Sequence, residues 1–145
     1  TAEASFVASL ADEMTGLTFV SDGRLVGAGA RVSFVDTATG RLTQLVPSGT
    51  YSTSGDIIGL PDGMLYWSVV GGDDLVRVDP ATGDTQRMGR IGVTNVFGLG
   101  FAADLLYGFA SSGTVLVIDE TTGDAGHQQN LAGTWWGATT NPVLW

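Results

Sequence analysis

One pattern limits what this chain can fold into more than any other: a unit of about 40 residues that recurs three times. A leucine marks one position of the unit, with spacings of 40 and 41 residues, at Leu25, Leu65 and Leu106. An aspartate that follows Val or Ile and precedes a Thr-Gly pair marks another, with spacings of 43 and 40 residues, at Asp36, Asp79 and Asp119. A period near 40 residues that holds several short strands is typical of a β-propeller blade.

The middle unit shows the internal structure of the repeat. Leu75-Val76-Arg77-Val78 alternates apolar and polar residues, as a strand with one covered face does. Pro61-Asp62-Gly63 and Pro80-Ala81-Thr82-Gly83 are turns, because Pro presets one backbone angle and Gly accepts a positive one. These turns divide the unit into four short strands, and one twisted four-stranded sheet must be covered on both faces by neighbouring sheets.

We therefore predict an all-β fold of β-propeller blades in a single segment over residues 1–145. No stretch holds the apolar spacing expected of a helix. The predicted parts are repeats at about 16–49, 56–90 and 97–132, a leading strand at 5–10 and a partial unit at 135–145.

Three full repeats do not close a ring, since known closed propellers use about four to eight blades. An open row of blades leaves two apolar faces in water, which is rare for a soluble monomer. We expect further copies of the chain, or the remainder of a longer chain, to complete the propeller. Filling of the local core is the alternative for the C-terminal tryptophans. The expected interface residues are Phe6, Trp135, Trp136, Leu144 and Trp145.

Charge and composition exclude several classes of partner. The net charge is −9 with only six Lys plus Arg, which argues against binding to nucleic acid or to anionic membranes. No apolar run approaches the length needed to cross a bilayer. Cysteine is absent, which excludes disulfides and thiolate metal sites. The acidic, Gly-rich composition favours an extracellular or cell-surface location, with a signal peptide already removed.

The repeated pattern LY…(V/I)D-x-x-TG resembles that of secreted bacterial β-propellers of the streptogramin-lyase and NHL-like kind. It also resembles the "DPATG" repeats of bacterial surface proteins. The resemblance covers nearly the whole chain and implies the blade fold, but no particular activity, because propellers carry many unrelated functions. The catalytic histidines of the lyase cannot be carried over, since the one histidine, His127, lies on a predicted fourth strand.

The sequence offers little for catalysis. A nucleophilic serine needs a base beside it, usually histidine, and no pattern surrounds His127. A glycosidase pair drawn from the 15 acids is possible in principle, but the three repeated aspartates each follow a strand directly, where a carboxylate caps the amides of a turn. We predict that the protein is not an enzyme, and a lyase- or hydrolase-like propeller is the least favoured alternative.

Two weaker site hypotheses remain. Asp73 and Asp74 follow two glycines in a loop, and calcium takes carboxylate and carbonyl oxygens as ligands. A solvated acidic turn is the alternative, and no other cofactor is predicted. Four aromatic side chains have the character to stack on sugar faces near blade tips, with core packing as the alternative for two of them. They are Tyr51, Tyr66, Trp67 and Tyr107.

The function that the sequence favours is a non-catalytic extracellular propeller module for self-assembly or protein interaction. The evidence is the unclosed number of repeats and the Trp-rich C-terminal end. The first alternative is a propeller that binds a glycan or another small ligand.

Overall fold

The computed structural model of the chain describes residues 3–71 and 73–140. All regular structure in this range is β, and it forms three separate four-stranded antiparallel sheets. The sheets do not join into a closed ring within the described residues. The described part of the chain contains no helix of the length and apolarity that a membrane crossing requires. The predicted all-β blade architecture is confirmed.

Each sheet uses four consecutive strands, paired in chain order. Blade 1 contains β1 (Met14–Phe19), β2 (Leu25–Gly29), β3 (Val32–Val35) and β4 (Leu42–Val46). Blade 2 contains β5 (Thr53–Gly59), β6 (Leu65–Val69), β7 (Asp74–Val78) and β8 (Thr85–Arg90). Blade 3 contains β9 (Val96–Ala102), β10 (Leu105–Ala110), β11 (Thr114–Ile118) and β12 (Ala125–Asn130).

The repeated leucines occupy equivalent places on the second strands. Leu25, Leu65 and Leu106 pair with the third strands at Val35, Val78 and Ile118, respectively. Leu65 and Leu106 are fully buried, whereas Leu25 is only half-buried. Equivalent leucines therefore differ in burial, because the face of blade 1 that holds Leu25 has no neighbouring blade over it.

The repeated aspartates cap turns, as predicted. Each carboxylate accepts a hydrogen bond from the amide two residues further on, at 2.9 Å for Asp36 and 2.7 Å for both Asp79 and Asp119. The glycine of each Thr-Gly pair has a positive φ, and its N–H donates to the carbonyl of the aspartate. Hydrogen bonds from backbone amides lower the pKa of Asp36. Hydrogen bonds from the side chain and the amide of Thr121 lower the pKa of Asp119.

The hydrophobic core lies between the blades rather than within one. The first strands β1, β5 and β9 lie side by side. The junction of blades 1 and 2 buries one cluster, which includes Val26, Ala28, Ile57, Leu65, Trp67 and Val76. The junction of blades 2 and 3 buries a second, which includes Ile58, Tyr66, Leu75, Leu99, Leu106 and Leu116.

The segments that flank the blades take the places of missing strands. Residues 5–10, expected as a leading strand, form no strand pairing. Residues 8–10 nevertheless lie against Gly40, as β4 lies against Gly83 and β8 lies against Gly123. At the other end, residues 137–140 lie against β9 near Gly98, as β5 lies against β1. Residues 141–145 of the predicted partial unit are outside the described range.

Candidate functional site: the open blade faces and the axial groove

The outer face of blade 1 is an apolar surface that no other blade covers. Leu17 and Phe19 on β1 are 54% and 50% exposed. Residues 7–10 cross part of this face and leave a cavity of about 310 Å³ against the blade. Val7 and Leu10 line the cavity together with Leu17, and both are exposed themselves.

The outer face of blade 3 is aromatic. Trp135 packs edge-on against Phe109, with ring centroids 5.6 Å apart, and Trp136 stacks on Phe97 at 5.5 Å. Trp136 is still 76% exposed, so one side of its indole faces water.

The predicted interface residues thus fall on the two outer blades. Phe6 is 83% exposed beside blade 1, and Trp135 and Trp136 lie on blade 3. Trp135 packs on Phe109 and is partly exposed. Leu144 and Trp145 lie outside the described residues. Burial of these side chains by a partner stays a prediction.

The four aromatic residues predicted to bind a ligand are not brought together. Trp67 is fully buried between blades 1 and 2, where Tyr51 meets it edge-on at 6.1 Å. Tyr66 faces blade 3 instead, and its hydroxyl donates to Asp62 Oδ2 at 2.9 Å. Burial raises the pKa of Tyr66 above its usual value. Tyr107 lies half-buried on blade 3. These positions give the glycan-binding alternative no shared stacking surface.

The aspartates predicted to bind calcium have other partners. Both carboxylate oxygens of Asp74 accept hydrogen bonds from the Arg87 guanidinium, at 2.6 and 2.7 Å, and this pairing lowers the pKa of Asp74. The carbonyl of Asp73 accepts the Ile91 N–H at 2.8 Å. Within residues 3–71 and 73–140, no three metal-binding side chains cluster. Calcium binding stays a prediction that these contacts do not support.

The structure adds a site that the sequence did not predict, here called the axial groove. It is a cavity of about 480 Å³ bounded by the first strands of all three blades and by residues 138–140. Its apolar wall is formed mainly by Leu17, Phe19, Ile58 and Leu99. Three threonines also line the groove, namely Thr18, Thr139 and Thr140.

Asp56 is the only titratable side chain that lines the groove among the described residues. Its Oδ2 accepts the Leu99 N–H of β9 at 2.8 Å, and its Oδ1 accepts the N–H of Ile57 at 2.9 Å. The residue is only 7% exposed. Burial raises the pKa of Asp56 to about 6, although the two amide hydrogen bonds favour the ionised form.

Glycine makes room for this carboxylate on the neighbouring blade. A Cβ on Gly16 of β1 would lie 2.9 Å from Asp56 Oδ1, closer than real Cβ atoms approach oxygen. The strand pairing also places Gly16 and Gly98 at the positions of blades 1 and 3 that correspond to Asp56. Alignment of the three repeats would therefore have shown that Asp56 stands where the other two blades have glycine.

No protein-family model matches the sequence, and a search of curated proteins found no match. Solved structures match the fold. The computationally designed Ika4 protein is 18% identical over 93% of this chain and 86% of its own, with a TM-score of 0.57. Virginiamycin B lyase from Staphylococcus aureus is 13% identical over 86% of this chain and 44% of its own, with a TM-score of 0.61.

A chain of the nidogen/laminin complex is also similar, at 12% identity over 86% of this chain and 50% of its own, with a TM-score of 0.71. The present chain therefore spans half or less of these two natural proteins. The comparisons show the β-propeller fold and no particular function. They give no sequence support for the NHL-like or "DPATG" families.

Proposed function

We propose that this chain is a non-catalytic interaction module whose two open blade faces bind further propeller blades. A second copy of the chain, or the remainder of a longer protein, supplies those blades. The observation that carries the proposal is a contrast in burial. The faces between neighbouring blades are buried, whereas Leu17 and Phe19 on blade 1 and Trp136 on blade 3 are at least half exposed.

The expected gain in free energy is large enough to hold such an assembly. An exposed apolar face of several hundred Å² is unusual on a soluble monomer. At about 25 cal/mol per Å², covering two such faces is worth on the order of 10 kcal/mol before the cost of association. Charge opposes this only weakly, since the capping aspartates lie in turns and salt screens them beyond about 10 Å.

The non-catalytic part of the proposal rests on the positions of the polar residues. The repeated aspartates are engaged by turn amides, and Asp74 is paired with Arg87. His127 lies on β12, the outermost strand of blade 3, as the sequence predicted. An extracellular or cell-surface location, expected from composition, is part of the same proposal.

Light scattering on the purified chain over a range of concentrations tests the module's self-association. We expect a particle larger than 15.0 kDa that dissociates on dilution. Leu17→Ser combined with Phe19→Ser should shift the particle toward monomer. Val70→Ser is the control for a polar substitution at an exposed apolar site, because Val70 is 52% exposed and directly follows β6 of the middle blade.

A monomeric particle can be interpreted in two ways, which binding of an apolar dye distinguishes. A monomer that binds the apolar dye ANS retains open faces and points to the remainder of a longer protein as the partner. A monodisperse 15.0 kDa particle that binds no ANS contradicts the proposal.

A further inference from the structure

The axial groove contains a buried charge that the described chain does not balance. Asp56 is more than nine-tenths buried, yet its pKa is set by burial and two backbone amides, with no cationic side chain of the described residues among the causes. Burying a carboxylate without a counter-ion costs several kcal/mol. A neutral residue at this position would avoid that cost.

Joining blade 2 to blade 3 does not explain the charge. At the junction of blades 1 and 2, the neutral hydroxyl of Thr18 accepts the Gly59 N–H at 3.0 Å and joins the two first strands. The junction of blades 2 and 3 also has a neutral bridge, because the Ser68 hydroxyl donates a hydrogen bond to the Val96 carbonyl at 3.1 Å. Hydrogen bonding across the blade junctions therefore needs no carboxylate.

We propose that the axial groove binds a small organic ammonium compound, with the Asp56 carboxylate as its counter-ion. The two amides that donate to Asp56 occupy one lone pair on each oxygen and leave the others for a ligand. Leu17 and Leu99 offer an apolar surface to the hydrocarbon part of the ligand, and the ring of Phe19 attracts a cation. A volume of about 480 Å³ lies within the range of small-molecule pockets.

The composition of the groove favours an ammonium group over a metal ion. Calcium takes about six to eight oxygen ligands, and magnesium requires about six in octahedral geometry. The described groove offers one carboxylate, and no cluster of three metal-binding side chains occurs in residues 3–71 and 73–140. An ammonium group needs only a few acceptors for its three N–H donors. The hydrocarbon part of an organic ammonium compound suits the apolar walls of the axial groove.

An NMR titration of the full chain tests this inference with 2-phenylethylammonium as the probe and 2-phenylethanol as its neutral counterpart. We expect saturable shifts of the amides of Leu17, Leu99 and Thr139, and binding at least about tenfold tighter for the ammonium than for the alcohol. Between about pH 7.5 and pH 5 the affinity for the ammonium should fall about tenfold, because Asp56 takes up a proton near pH 6.

Two variants locate the binding site. Asp56→Asn removes the charge but turns an amide group toward a backbone N–H, so it is destabilising by itself. Leu17→Trp keeps Asp56 and fills the groove from a position that is half exposed and tolerates a larger side chain. Both variants should lose at least about tenfold in affinity. Val70→Trp is the control for a new surface tryptophan and should bind as the unchanged protein does.

Three results would overturn the inference. One is equal affinity for the ammonium and the alcohol. Another is binding that Leu17→Trp leaves intact. The third is the absence of saturable shifts in the folded protein up to about 20 mM of the ammonium, a concentration that detects even millimolar binding. Because Leu17 also lies on the open face of blade 1, the titrations compare the unchanged protein and Leu17→Trp at a concentration where light scattering gives both the same molar mass.

Discussion

The two blade junctions solve the same packing problem in different ways. Between blades 1 and 2, the indole of Trp67 fills the space opposite small side chains such as Ala28. Between blades 2 and 3, Asp56 and Ser68 cross the junction with hydrogen bonds to Leu99 and Val96. Within the described residues, both junctions bury an apolar cluster and contain a hydroxyl bridge, but only the first is filled by an indole and only the second is crossed by a carboxylate.

The difference arises at positions where the repeats disagree. Trp67 corresponds to Gly27 in blade 1 and Gly108 in blade 3, by their pairing with the first strands. The Asp-x-x-Thr-Gly turns and the leucines are constant, so they define the blade itself. The residues that differ decide how neighbouring blades fit together, which means that a junction can be altered without changing the blade.

The largest expected effect on stability is at the junction of blades 1 and 2, which the indole of Trp67 fills. Trp67→Ala should reduce the free energy of unfolding by about 3–5 kcal/mol, because it leaves a cavity at a fully buried site. The buried indole N–H of Trp67 has no partner among the described residues, so little hydrogen bonding is lost. Urea unfolding measures the change. Trp136→Ala, at a site 76% exposed, should change stability by no more than about 0.5 kcal/mol.

A second pair of variants compares a junction with an open face. Leu65→Ala should cost about 2–5 kcal/mol, since Leu65 is fully buried between blades 1 and 2. Leu25→Ala, at the equivalent position of blade 1, should cost clearly less, because Leu25 is only half-buried. Equal losses in urea unfolding would show that blade 1 is covered on both faces in solution.

The stability of the junction between blades 2 and 3 should depend on pH. The pKa of Asp56 is about 6 in the folded chain, above the ordinary value of 3.8, so ionisation is penalised by folding. The contribution of Asp56 to the stability of the fold is fully present below about pH 4 and is lost as the pH rises through about 6. Asp56→Ala should therefore cost about 1–3 kcal/mol at low pH and less at neutral pH.

Unfolding curves of both proteins at several pH values measure this difference. Ser68→Ala breaks a bridge at the same junction without removing a titratable group, and its cost should not follow the titration of Asp56. A cost of Asp56→Ala that grows with pH would show that the carboxylate is stabilised, not penalised, by its surroundings.

The smallest expected effect concerns the constant part of the repeat. Asp79→Ala should lower stability by about 1 kcal/mol through loss of the hydrogen bond to the Ala81 amide. Thermal unfolding measures the loss, and self-association should be unchanged. A normal melting temperature combined with altered self-association would show that this turn belongs to a binding surface.

The sequence was sufficient to predict the parts of the fold that are local. The aspartate caps, the positive φ of the Thr-Gly glycines and the alternating apolar residues follow from local sequence, and the structure confirms the turns and strands that they predict.

Contacts between blades could not be predicted in the same way. Asp56 and Trp67 owe their surroundings to residues about 40 positions away, such as Gly16 and Leu99, and the local pattern does not reveal them. The full burial of Trp67 could not be inferred from the local pattern for this reason. Tyr66 and Trp67 are adjacent in sequence, but successive residues of a strand point to opposite faces and so enter different junctions.

The Thr-Gly turn has a consequence for how the protein is made. A Cβ on Gly83 would collide with the carbonyl of Leu45, and one on Gly123 would collide with Gly89. In both cases the surface that the turn meets was synthesised earlier. Each new blade leaving the ribosome thus finds its docking site already present, and the row can assemble in the order of translation, one blade at a time.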